Sequence, residues 1–423
     1  MACKEYYQSR RQMLKSTLGA AAGATLLGMP VRNLFSAAGQ SHTASAKHVI
    51  LFWNGGGMSH VDTWDPKPGT PVQGEFEPIK TSADGIQISE IFPKVATQMH
   101  NAAIVRSIAG TNGDHGRATY ELQTSHGQVP NIVHPGIGSV VVSELDKVGD
   151  LPAFISVGGR APRAGYLGQR CEAYYVGRPG ERDPYLAFPE GINKAQGNRR
   201  LDILAKMNAR ISARTGSVDM KATETAVDDA VKLMRSPALK AFEIEGEDDV
   251  TLERYGQTEF GRGALLARKL VETGVRFVQV NRGGFDNHGN IFPAMRNHGA
   301  IMDPAIGSLL EDLKASGKLD ETLVVVLSEF GRTPRINGGA GRDHHARCFS
   351  ALLAGGGING GTVVGASDEH AMVPADRPVK PSDIHATICQ ALGIDHNKEV
   401  TTPLGRPMRL VRREAEPIHE LFA

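Results

Sequence analysis

From Thr258 to Leu353 the sequence alternates between segments of helical and of strand character, and that alternation narrows the fold more than any other feature. Leu265, Leu266, Leu270 and Val271 recur at helical spacing, Gly274 marks a stop, and residues 276–280 follow as an apolar strand. The order then repeats. Residues 301–315 read as a helix ended by Gly317, residues 323–327 are an unbroken aliphatic strand, and residues 349–353 form another. A helix over 383–392, with Asp383 as its N-cap and His385 on its surface, closes the series. Upstream, residues 48–53, 104–108 and 154–157 are further strand candidates. Continuous apolar strands separated by helices predict an α/β fold with a mostly parallel central sheet and helices on both faces.

The stretch from about 160 to 250 is polar, loop-rich and helical in places, and reads as an insertion or cap on a domain spanning 47–415, with 416–423 as a C-terminal tail. Lys and Arg number 47 against 46 Asp and Glu, so no concentrated basic face argues for nucleic acid. The four Cys form no CxxC pair, and Cys3 lies in the leader, which speaks against a disulfide framework. Residues 1–46 read as a signal peptide. Ser9-Arg10-Arg11-Gln12-Met13-Leu14-Lys15 fits the twin-arginine export pattern, and the apolar run from Leu18 to Met29 is too short for a membrane span. Ala44-Ser45-Ala46 and Ser36-Ala37-Ala38 are the candidate cleavage sites. These features predict a periplasmic or secreted protein that retains no membrane span.

In an open parallel sheet, ligands bind beyond the carboxyl ends of the strands. Acidic and imidazole side chains gather at those positions here. Ser59, His60, Asp62 and Asp65 follow the first strand, and Asp114 and His115 follow the second. Asp286 and His288 come after residue 280, Glu329 and Arg332 after 327, and Asp343-His344-His345 just before 349. Each taken alone has an ordinary explanation as a turn, a cap or an ion pair. Five strand ends so furnished point instead to a divalent metal site, with zinc, manganese or iron suited to mixed carboxylate and imidazole donors.

The segment from Leu319 to Arg332 resembles the core strand of the alkaline phosphatase/sulfatase superfamily, in which a comparable strand ends in a metal-binding Asp-His pair. More specifically, GGGMSHVDTWDPKP, GFDNHGN, SEFGRTPRINGGAGRDHH and LLAGGGINGGTVVGASD resemble the hallmarks of the secreted family labelled domain of unknown function 1501, over roughly residues 47–415. The resemblance implies an alkaline phosphatase/sulfatase-like fold. It places Asp286, His288 and His344 at one metal, and puts Glu329 in place of an Asp of a second metal. Phe330 replaces a metal-binding His, and Gly stands where an early Asp is expected, with His60 or Asp62 as substitutes. His115, preceded by Asp114, falls at the nucleophile position and reads either as a phosphoryl acceptor or, preferably, as a replacement ligand. The formylglycine signature of sulfatases is missing from the sequence.

Two readings follow. In the first, the protein is a metal-dependent hydrolase of a phosphate or sulfate ester, on a small molecule or a polysaccharide, that uses a metal-activated water. Asp114, His115 and Arg332 then serve catalysis, Asp286, His288, His344, Glu329, His60 and Asp62 hold metal, and Arg342 and Ser59 bind substrate. Zinc is preferred, with manganese, iron or calcium as alternatives. In the second, the protein is a metal-stabilised, non-catalytic binding or scaffold protein of the cell envelope. The family resemblance further implies a secreted cytochrome-domain protein as a partner.

Overall fold

Six of the eight strands in the central sheet are the apolar runs that the sequence marks. The structure, a computed structural model, describes residues 45–181, 186, 188–215, 218–244 and 246–422, with the backbone alone for 215 and 218–226. The twin-arginine segment lies outside the described residues. In chain order the strands are β1 (His48–Asn54), β2 (Ala102–Ile108), β3 (Phe154–Val157), β4 (Tyr174–Val176), β5 (Phe277–Arg282), β6 (Thr322–Leu327), β7 (Phe349–Ala354) and β8 (Thr362–Val364). They lie in the order β8-β2-β7-β6-β1-β5-β3-β4. All are parallel except β7, which runs antiparallel to both β2 and β6. The carboxyl ends of seven strands and the amino end of β7 therefore share one edge of the sheet. β4 and β8 are three-residue edge strands, too short to show a periodicity in the sequence.

The longer helices are α1 (His115–Thr124), α2 (Ile137–Glu144), α3 (Lys194–Thr215), α4 (Val218–Arg235), α5 (Glu259–Glu272), α6 (Ile291–Ala315) and α7 (Pro381–Ala391). The period-2 geometry of a strand sends β1 into two cores. Ile50 and Phe52 join Leu265, Leu270, Ile306 and Leu310 of α5 and α6 on one face. Val49, Leu51 and Trp53 join Val140 of α2 and Ile384 and Ile388 of α7 on the other. Each large apolar side chain so buried contributes about 1.5–3 kcal/mol, which is why strands buried on both faces carry no polar alternation.

Several details depart from the sequence reading. α6 begins at Ile291, well before residue 301, and runs through Pro304. Asp383 is the third residue of α7 and not its N-cap; its carboxylate accepts the backbone N–H of Lys380 at 2.9 Å and of Glu416 at 3.0 Å. His385 is buried, not on the surface, with Nε2 2.8 Å from the Leu122 carbonyl. In the C-terminal tail, Ile418 and Leu421 are fully buried in the second core. Ala46, assigned above to the leader, is buried and donates its N–H to the Ala391 carbonyl at 3.1 Å.

Candidate metal centre

Four loops at the furnished edge of the sheet converge on Asp286. Its Oδ1 lies 3.1 Å from Nε2 of His288, 3.1 Å from Nε2 of His344 and 3.3 Å from Nε2 of His115. His115, Asp286 and His344 offer donor atoms that all lie within 4.8 Å of one another. Close backbone approach makes this possible. A Cβ on Gly56 would meet the backbone N of Asp286 at 2.6 Å, and one on Gly341 would meet the His288 carbonyl carbon at 2.1 Å. The loops carrying Asp286 and His288 can sit where they do only because those two neighbours are glycine.

Each imidazole is held from behind through its other nitrogen. Nδ1 of His115 lies 2.9 Å from Glu329 Oε1, Nδ1 of His288 lies 2.7 Å from Asp343 Oδ1, and Nδ1 of His344 lies 2.7 Å from the Gly113 carbonyl. A carbonyl only accepts, so His344 carries its proton on Nδ1. The hydrogen bond from His288 holds the Asp343 carboxyl below its ordinary pKa, so Asp343 is ionised at neutral pH and His288 donates from Nδ1 as well. The Nε2 atoms of the two rings then point at one place, 3.1 Å apart. Nε2 of His115 is buried and makes no hydrogen bond among the described residues. The distances from Asp286 to the three ring nitrogens are near the edge of a tetrahedron of bonds of about 2.0–2.1 Å, the spacing that one cation between them would set. A carboxylate or carbonyl behind each ligating imidazole is the usual support of a metal-binding histidine. The donor set therefore fits a divalent transition metal.

Partial burial by itself would raise the Asp286 carboxyl. The Arg332 guanidinium, which donates to Asp286, outweighs it and holds that carboxyl far below the usual range. Asp286 and His288 are each 48% exposed, so the cluster is open to solvent. Phe330 closes its inner side, with ring centroids 4.9 Å from His115 and 4.8 Å from His344.

The other residues singled out in the sequence do different work. Glu329 is buried beneath His115, where it also accepts the Gly56 N–H at 2.7 Å, so it supports a ligand and does not face the cluster itself. Asp62 and Arg342 form a fully buried ion pair, at 2.8 and 3.1 Å, and Ser59 donates to Asp62 at 2.5 Å. Neither a metal nor a substrate finds a free group there, so Asp62 as ligand and Arg342 and Ser59 as substrate contacts are set aside. His60 is likewise buried, with Nε2 3.0 Å from the Ala371 carbonyl and its ring stacked on His345. Arg332 is no anion clamp. It is fully buried, donating to the carbonyls of Gly56, Gly57 and Arg342 and to Asp286 Oδ1 at 2.5 Å. Asp114 is the N-cap of α1 and accepts the Arg117 N–H at 3.0 Å. Sequence reasoning missed Asp343 and the Gly113 carbonyl as supports. Asp343 is adjacent to His344, but it braces His288 from another loop, a pairing that spacing cannot show.

Residues 46–422 match the model of the family described as "Protein of unknown function (DUF1501)", in line with the resemblance read from the motifs. No curated protein matches the chain. Solved structures with a similar arrangement include Ps i-CgsB, at 12% identity over 83% of this chain and 72% of that one, with a TM-score of 0.39. The PsFucS1 sulfatase from Pseudoalteromonas sp. is 14% identical over 86% and 70%, with a TM-score of 0.36. A mutant TAB5 alkaline phosphatase with Mg bound in its M3 site is 14% identical over 83% and 99%, with a TM-score of 0.37.

Proposed function

We propose that this chain, which belongs to the family described as a protein of unknown function (DUF1501), is an exported metal-dependent hydrolase of phosphate or sulfate esters. The observation that carries the reading is the convergence of three imidazoles on Asp286, with a carboxylate or carbonyl behind each ring. His115, Asp286, His288 and His344 would hold the ion. Nitrogen-rich donors of this kind favour zinc, then manganese or iron, over calcium. A divalent ion at this place supplies Lewis acidity toward an ester oxygen and toward water.

The protein's own groups set the stage. Glu329, Asp343 and the Gly113 carbonyl fix the ring orientations and tautomers, and Arg332 holds Asp286 ionised and in place. α1 begins at His115, so its N-terminal end lies beside the cluster, where the N-cap Asp114 takes the Arg117 N–H. In this reading water activated by the ion would be the nucleophile. The buried state of Arg332 and Arg342 leaves both without a nitrogen for the ester and favours the second reading, a metal-stabilised binding protein of the envelope.

Export by the twin-arginine route belongs to the same proposal. The burial of Ala46 favours cleavage at Ser36-Ala37-Ala38 over Ala44-Ser45-Ala46. No feature of the described residues speaks for a cytochrome-domain partner.

The test is turnover of an aryl phosphate and an aryl sulfate by protein stripped of metal and then reloaded with zinc or manganese. Hydrolysis that returns with the ion, and is lost in His344→Ala, supports the hydrolase. A protein that takes up the ion and turns over neither ester supports the binding protein.

A further inference from the structure

Helix α3 carries two faces. Gly197, Leu201, Ala205, Asn208 and Ser212 recur at intervals of three and four, are buried or half-buried, and form its packed side. Ile203, Leu204, Met207 and Ile211 form a second stripe and are 53%, 41%, 57% and 42% exposed. Four apolar side chains so exposed on one helix call for a covering surface.

The charges say which kind. α3 carries Lys194, Arg199, Arg200, Lys206, Arg210 and Arg214 against one acid, Asp202, in a chain of net charge +1. Asp202 is taken by Arg235 of α4 at 3.2 Å. Among the described residues, Arg199, Arg200, Lys206, Arg210 and Arg214 have no ion-pair partner. At about 100° per residue, Arg200 and Arg214 fall within the apolar stripe, while Arg199, Lys206 and Arg210 run along its outer edge. A second copy of the helix would bring two strongly basic faces together and be repelled. A soluble polyanion would satisfy the arginines and leave the apolar stripe wet.

We propose that this face of α3 docks on the surface of an anionic lipid bilayer. Apolar side chains would enter the boundary of the acyl chains while arginines and lysines meet the headgroups, as in interfacial amphipathic helices. Docking of this kind requires no spanning segment, and no helix among the described residues is long and apolar enough to cross a membrane.

The experiment is flotation of the exported chain with phosphatidylcholine vesicles, with and without phosphatidylglycerol at roughly one-third of the lipid. The expected result is binding that depends on phosphatidylglycerol. Leu204→Gln/Met207→Gln and Arg199→Gln/Arg210→Gln should each weaken it about tenfold, with melting temperature and metal content unchanged. Three results would overturn the proposal: no binding to the anionic vesicles, binding that either double variant leaves intact, or a concentration-dependent dimer that the apolar variant dissolves.

Discussion

His288 Nε2 and His344 Nε2 stand 3.1 Å apart, each in a ring whose other nitrogen already has an acceptor. A cation beside Asp286 would lie within reach of both Nε2 atoms. Asp343 and the Gly113 carbonyl fix the two rings from behind, so the proposed metal site is shaped by groups that would not themselves touch an ion.

The support behind His288 can be tested without disturbing the fold, because Asp343 is 54% exposed. Asp343→Asn should weaken ion affinity about 10–100-fold while leaving the saturated stoichiometry unchanged. Competition with a chromophoric chelator reads this directly. Unchanged affinity would mean that Asp343 is only a surface neighbour.

The pair Asp62–Arg342 is assigned to stability, not chemistry. Removing one partner leaves the other charge buried, so Arg342→Met should lower unfolding free energy by about 3–5 kcal/mol. Any protein that remains folded should keep its metal. Urea unfolding followed by metal assay separates the two effects; loss of the ion from well-folded protein would return Arg342 to the site.

Burial holds His60 and His385 down to about 4, His60 against an opposing contribution from Asp65. In the unfolded chain each protonates near its ordinary value of about 6.5. Below that value the unfolded state gains protons that the native state refuses, so stability falls as pH drops from about 6.5 to about 4 and the decline levels off below. Each ring contributes on the order of 3 kcal/mol to that fall. Denaturant unfolding across this window checks the slope, and a flat profile would contradict the burial of both rings as neutral groups.

The sequence carries the architecture well because β1, β5 and β6 are buried on both faces and so are written as unbroken apolar runs. β4 and β8 escape because three residues at a sheet edge need no pattern. The cluster is legible in part: Asp286, His288, His344 and His115 stand at strand ends where ligands bind. Asp62, His60 and Arg342 lie in buried pairings away from the cluster, and Arg332 braces Asp286 instead of facing a substrate, for one physical reason. A charged or polar side chain near a strand end serves equally well to satisfy a buried neighbour, and only three-dimensional pairing tells which role it takes. The same holds for Glu329, one residue from Phe330 in sequence but placed behind His115 by the turn that follows β6.

The measurement that bears most directly on the central claim is metal content by elemental analysis of protein purified without chelators, beside His288→Ala and His344→Ala. The account predicts about one transition-metal ion per wild-type chain, lost from both variants while their circular dichroism stays native. A wild-type protein that holds no ion and takes up none on reconstitution would contradict it.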